Sequence, residues 1–310
     1  MATARSVARQ LAQERGLDIR NPASSVLALN SKDRYRTTEE GAADPTSPFD
    51  YVLRSNQNFM TGYFERIALT EIVYTWAIPT INPRNNTMIL LYGPGAGTQV
   101  AVTVPNGWYT VTTLAAAVQV ALRALAGAPL GASVTCTADT TTGIFTVTPT
   151  PGNTTIWTFL TGAQAQQTTI FEMMNWYEVD PVAGAQVSGI PSMLPTQFID
   201  IVCSQLTANQ DVKDGTSQAT TRDVLARFYL SADSITSQPF NNGSTPFKIY
   251  RQYTFPKQIR FDPLMPIQGF LKFELYNDAG EPLTTGFPTG TPGGDGDQPD
   301  WQMTLLVSET

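Results

Sequence analysis

The clearest periodicity in the chain is YFERIALTEIVYTWAIPTIN, where Ile67, Leu69 and Glu71 share one parity and Ile72, Tyr74 and Trp76 the other. Side chains alternate across a strand, so this change of parity predicts one long strand with a bulge or twist in mid-course. Pro83 and the polar NPRNN segment predict a turn into a second strand, TMILLYG, whose unbroken apolar run predicts burial on both faces. A GPGAG loop follows at residues 93–97, then a strand QVAVTVP, a tight turn at Asn106-Gly107 and a helix from about Thr112. Val111, Leu114, Val118, Leu122 and Leu125 fall at helical spacing on one stripe, and Gly127 and Pro129 end it. Residues 133–149 read as a hairpin, and TTIWTFL continues that small sheet.

Long-strand patterning resumes from Gln197 with FIDIVCSQL, RDVLARFYLSA, FKIYRQYTF, KQIRF, GFLKFELYN and WQMTLLVS. With the two strands before the helical unit, the count is eight. Eight antiparallel strands in two facing sheets make a jelly roll. The expected fold is therefore all-β: a single jelly-roll β-sandwich of eight strands, with an inserted small α+β unit and an extended N-terminal arm. The arm covers 1–60, the sandwich 61–97 and 179–310, and the insertion 98–178. The Gly- and Pro-rich stretch GEPLTTGFPTGTPGGDGDQPD reads as a mobile loop.

Composition narrows the function. Charged residues make up 15% of the chain, against roughly 25% in ordinary soluble proteins. The 23 glycines and 22 prolines suit many turns. A net charge of −7 argues against a fold whose main task is gripping nucleic acid. The N-terminus is a local exception: Arg5, Arg9, Arg15 and Arg20 outweigh Glu14 and Asp18. These arginines fit three roles: docking onto neighbouring subunits, contacting packaged DNA, or standing in a solvated arm. No apolar run reaches the roughly 18 residues of a membrane span, and MATARSVARQLAQERG lacks a secretory apolar core. A cytosol-like site of synthesis is the expectation.

Candidate chemistry is sparse. The chain has no histidine, which removes Ser-His and Cys-His pairs and imidazole metal sites. Cys136 and Cys203 form no CxxC pair and read as buried free thiols. GPGAG lacks the lysine and helix of a phosphate loop. Carboxylate-pair hydrolysis would draw on Glu65, Glu71, Glu172, Glu178, Asp180 or Asp200, and calcium binding on Asp295, Asp297 and Asp300. Surface or interface carboxylates and a solvated acidic loop are the preferred readings. Trp76, Trp108, Trp157, Trp176 and Trp301 suit either sugar stacking or packing, and packing is preferred. No cofactor or metal is expected.

Four stretches then acquire a common meaning: SKDRY at 31–35, RIALTEIVYTWAIPTINPRNNTM at 66–88, VTVPNGWYTVTTLAAAVQVAL at 102–122, and LKFELYNDAGEPL at 271–283 followed by WQMTLLVSE. Together they resemble the penton (minor capsid) proteins of virophages and polinton-like viruses with double-jelly-roll major capsid proteins. The third stretch carries the most specific motif, with Pro105, Gly107 and Tyr109 at its turn and Thr110 or Thr112 able to cap the helix. The resemblance implies a non-enzymatic homopentamer at the five-fold vertex of a virion, beside trimeric major capsid protein. The alternative is a receptor- or glycan-binding β-sandwich of a viral spike or fibre.

Overall fold

A computed structural model describes residues 24–34, 47–57, 59–95, 97–160, 170–176, 180–194, 196–207, 214–215, 221–222, 224–230, 246–267, 269–287 and 292–308. Strands are numbered in chain order. The first three are β1 (Ser24–Asn30), β2 (Asp50–Arg54) and β3 (Met60–Trp76). Then come β4 (Thr87–Tyr92), β5 (Thr98–Thr103), helix α1 (Val111–Arg123), β6 (Thr135–Ala138), β7 (Phe145–Thr148), β8 (Trp157–Leu160) and β9 (Gln186–Val187). The last set is β10 (Phe198–Val202), β11 (Asp214–Gly215), β12 (Thr221–Arg222), β13 (Val224–Tyr229), β14 (Phe247–Gln252), β15 (Gln258–Ile267), β16 (Phe270–Tyr276) and β17 (Gln302–Ser308).

Two sheets form the sandwich. Sheet I runs β1-β17-β3-β14, with β15 continuing beside β3, and sheet II runs β13-β10-β16-β2. Because β14 pairs with residues 71–76 of β3 and β15 with residues 60–68, the two are one strand interrupted at 253–257. Counted that way, the sandwich strands pair first with eighth, second with seventh, third with sixth and fourth with fifth, all antiparallel. This is a long two-stranded ribbon folded at its middle and wrapped into facing sheets, which is the jelly roll. The insertion leaves the ribbon between its third and fourth strands.

The parity change in β3 is a bulge. The β17 register shifts between Thr304 and Leu305, leaving Thr70 unpaired on β3, whose side-chain hydroxyl donates to the Thr304 carbonyl at 3.0 Å. Ile67 and Leu69 before it, and Ile72, Tyr74 and Trp76 after it, therefore all reach the core. Tyr51, Phe273, Trp301, Tyr74 and Phe228 form a continuous aromatic contact chain between the sheets.

Five expectations change. The expected arm spans 1–60, yet β1 is the edge strand of sheet I and β2 the edge of sheet II. Leu27, Leu29, Tyr51 and Leu53 point inward from them, so the sandwich begins at residue 24 among the described residues. The apolar run of β4 predicts a sandwich strand with both faces buried. Instead it is the centre of the three-stranded sheet β5-β4-β8 and alternates, with Met88 and Leu90 buried and Ile89 and Leu91 half-buried. The eight-strand total holds with a different membership: β1 and β2 join, β4 leaves, and β14 and β15 merge. The late Gly-rich stretch is packed where it is described, with Leu283 and Thr285 buried.

The inserted unit has its own core, from Ile81 to Met193, separate from that of the sandwich. The buried residues of this core span Ile81 to Met193, a wider range than the expected 98–178. Helix α1 packs Val111, Leu114, Ala115, Val118 and Leu122 onto this core, and Thr110 caps it with a reciprocal Thr110–Thr113 box. The β4–β5 connection turns through Gly93, Gly95 and Gly97, all at positive φ, which explains the glycines of GPGAG.

Candidate assembly surfaces

The specific motif turns out to be the joint between the two cores. Gly107 and Ile81 exchange both backbone hydrogen bonds, at 2.8 and 3.0 Å. The Tyr109 hydroxyl donates to the Pro105 carbonyl at 2.8 Å and closes the turn. Trp108 then packs against the sandwich core while its neighbour Tyr109 packs against the inserted core. The chain crosses between the same two cores at two other places, Ile78 to Ile81 and Met193 to Leu194.

Buried amides hold these crossings together. Asn82 N–H donates to Asn85 Oδ1 at 2.7 Å, and Asn85 Nδ2 donates to the Thr80 carbonyl at 2.8 Å. Each bond satisfies a polar group that burial would otherwise penalise. Arg84 reaches across to Glu281 at 2.7 Å, linking the root of the insertion to the turn after β16. Beside it lies a cleft of about 290 Å³ lined by Ile78, Asn82, Arg84, Asn277 and Glu281.

A second tie joins the ends of the sandwich. Ser31 N–H donates to the Trp301 carbonyl at 2.9 Å, and Trp301 N–H to Ser31 Oγ at 3.0 Å. The buried Arg34 guanidinium pairs with Asp300 and donates to the Ser31 carbonyl. Trp301 Nε1 donates to the Pro48 carbonyl at 2.8 Å. Residues 31–34 are thus a clasp over the start of β17. Sequence reasoning missed the Arg34–Asp300 pair, because 266 residues separate its members.

On the outer face of sheet II, Asp200 and Arg227 stand opposite each other in register. They form a two-point ion pair at 2.7 and 2.8 Å, with the guanidinium 4.0 Å from the Phe198 ring centroid. Phe198 meets Tyr229 edge-on. Asp200 is thereby neutralised within its own sheet. The hydrogen bonds to Asp200 push the Arg227 pKa above its ordinary value.

The remaining candidates are dispersed. Glu71 accepts from the Tyr250 hydroxyl on sheet I, Asp180 is exposed in the insertion, and the side chains of Glu65, Glu172 and Glu178 lie outside the described residues. Asp295 accepts from Thr285 N–H and Oγ, and Asp297 from Gly293 N–H, so these acids staple their own loop. No group of ligands for a metal ion occurs among the described residues. Cys136 lies in the inserted core and Cys203 in the sandwich core, both free, with burial pushing each thiol up to about 12. Trp76, Trp157, Trp176 and Trp301 are buried and unavailable for sugar stacking. Arg5, Arg9, Arg15 and Arg20 lie outside the described residues.

No family model matches the chain, and no curated protein matches it. Among solved structures it is similar to the mavirus penton protein, with a TM-score of 0.48 at 12% identity over 92% of this chain and 100% of that one. It is also similar to a chain in the cryo-EM structure of the Sputnik virophage, with a TM-score of 0.42 at 13% identity over 93% of this chain and 98% of that one. No helix among the described residues is long and apolar enough to cross a membrane.

Proposed function

We propose that this chain is a non-enzymatic capsid subunit of the penton type. It assembles as a homopentamer, closes the five-fold vertices of an icosahedral virion, and contacts trimeric major capsid protein around them. The observation that carries this reading is the wrapped ribbon itself: a jelly roll interrupted between its third and fourth strands by a unit with a separate core. The four stretches that resemble pentons fall on its clasp, its longest strand, its joint and its seventh strand with the turn beyond.

The chemistry is that of a building block. Rotational symmetry repeats every surface charge around the axis, so a subunit with few charges avoids multiplied repulsion. Glu71, Asp200, Asp295, Asp297 and Asp300 are occupied in ties, and the two thiols are shielded. The arginines of residues 1–20 dock onto neighbouring capsid subunits or packaged DNA.

A particle map with this chain tagged tests the placement: tag density at the five-fold vertices is expected, and density confined to the capsid facets would overturn it. Because β1 starts at Ser24, the deletion that probes the arm must stop short of it. Removing residues 1–20 is expected to block incorporation while the sandwich stays folded. Normal incorporation would refute the docking role.

A further inference from the structure

The outer face of sheet I has a charge arrangement that the fold itself does not explain. Arg66 on β3 and Arg260 on β15 are direct cross-strand partners, and both are exposed. Like charges placed opposite one another destabilise an antiparallel pair. The Arg66 guanidinium donates to Gln258 Oε1 at 3.2 Å, which is an amide and supplies no countercharge. Across the other neighbours, Ser308 pairs with Arg66 and Ser24 with Ser308. One rung therefore presents two hydroxyls and two guanidiniums side by side, spaced at roughly 5 Å per strand.

Further cations lie in the same edge strand, Lys248 among them, while Lys257 Nζ donates to the Val224 carbonyl of sheet II. Residues 246–260 contain Lys248, Arg251, Lys257 and Arg260 and no acid, in a chain whose net charge is −7. Aromatic residues interleave with them: Tyr250 is 56% exposed and Phe255 is 94% exposed. Among the described residues, the outward-facing Glu71 accepts from the Tyr250 hydroxyl.

We infer that this edge of sheet I binds the phosphate backbone of single-stranded nucleic acid, with Arg66, Arg260 and Ser308 taking phosphate oxygens and Phe255 offering a stacking surface. Guanidiniums and hydroxyls match phosphate oxygens, and exposed aromatic faces beside a positive track take unstacked bases. A neighbouring protein's carboxylates would use the cations and leave Phe255 unexplained. The binding claim stands on the sheet's own chemistry.

The test is fluorescence anisotropy with a labelled oligothymidylate over a salt series, on the chain lacking residues 1–20 so that the arm arginines do not contribute. Replacing Arg66→Gln and Arg260→Gln together is expected to weaken binding about ten-fold and to flatten the log–log salt slope by about 1.4, the value for two phosphate contacts on a single strand. The melting temperature should not fall, since the change removes a repulsion. The Arg66→Lys, Arg260→Lys double variant retains charge and should keep most of the affinity. Unchanged affinity and slope in the glutamine variant, or no binding by the parent chain, overturns the inference without touching the capsid reading. Loss of self-association at unchanged oligonucleotide affinity also overturns it, and assigns the rung to a neighbouring subunit.

Discussion

The sandwich and the inserted unit solve the same problem by opposite means. The sandwich draws on residues 24–80 and 194–308, so its contacts join distant parts of the chain, and it uses charged ties where they meet, including Arg34–Asp300 and Asp200–Arg227. The insertion is local. Residues 81–193 hold only six charged side chains, Arg84, Arg123, Asp139, Glu172, Glu178 and Asp180, and rely on a capped helix over small sheets. The contrast teaches where each can fail. Long-range strand pairing must be complete before it stabilises anything, whereas a contiguous unit can open and close by itself.

The two thiols report on the regions separately, because Cys136 sits in one core and Cys203 in the other. The largest expected effects come from emptying either core. Phe159→Ala removes a ring in contact with Trp157, Phe171 and Trp176 and should cost about 4 kcal/mol. It should speed labelling of Cys136 while leaving Cys203 protected. Phe273→Ala, of similar cost, should expose Cys203 instead. Equal exposure of both thiols by either variant would show one cooperative unit and break the comparison.

Next in size is the clasp. Arg34→Ala leaves Asp300 unpaired beside Ser31 and removes a buried cation, an expected loss of about 3 kcal/mol measured by denaturant unfolding and confined to the sandwich. Asn85→Ala at the joint should cost about 2 kcal/mol by orphaning the buried Asn82 N–H. Its particular signature is unfolding of the two cores in separate transitions. Thr110→Ala, which removes the cap of α1, should cost about 1 kcal/mol and act on the insertion alone.

Alkaline titration should act on both regions. Each thiol has its folded pKa raised to about 12 from an ordinary value of 9.0. The unfolded chain loses those protons first, so stability is full below pH 9 and falls as pH rises toward 12. Replacing Cys136 with Ala should reduce the decline in the insertion only.

How far the sequence carried differed between the same two regions. Helix α1 was legible residue by residue, because a stripe of Val111, Leu114, Val118 and Leu122 depends on local spacing. The β3 bulge was legible for the same reason. Strands β1 and β2 were hidden, since each sends only two or three side chains inward and lies among Ser, Pro and Asp residues. An apolar run such as β4 says that it is buried and not in which sheet. The motif at Pro105, Gly107 and Tyr109 was visible as a turn, but its work as a joint depends on Ile81, which the sequence does not pair with it. The clasp and the Arg66–Arg260 rung arise from register between distant strands and leave no local signal.

The central claim is a symmetric shell subunit, and the mass of the assembled particle tests it most directly. Native mass spectrometry of the full-length chain is predicted to give a species of five copies. A stable trimer, or a monomer that never enters capsids, would contradict the account.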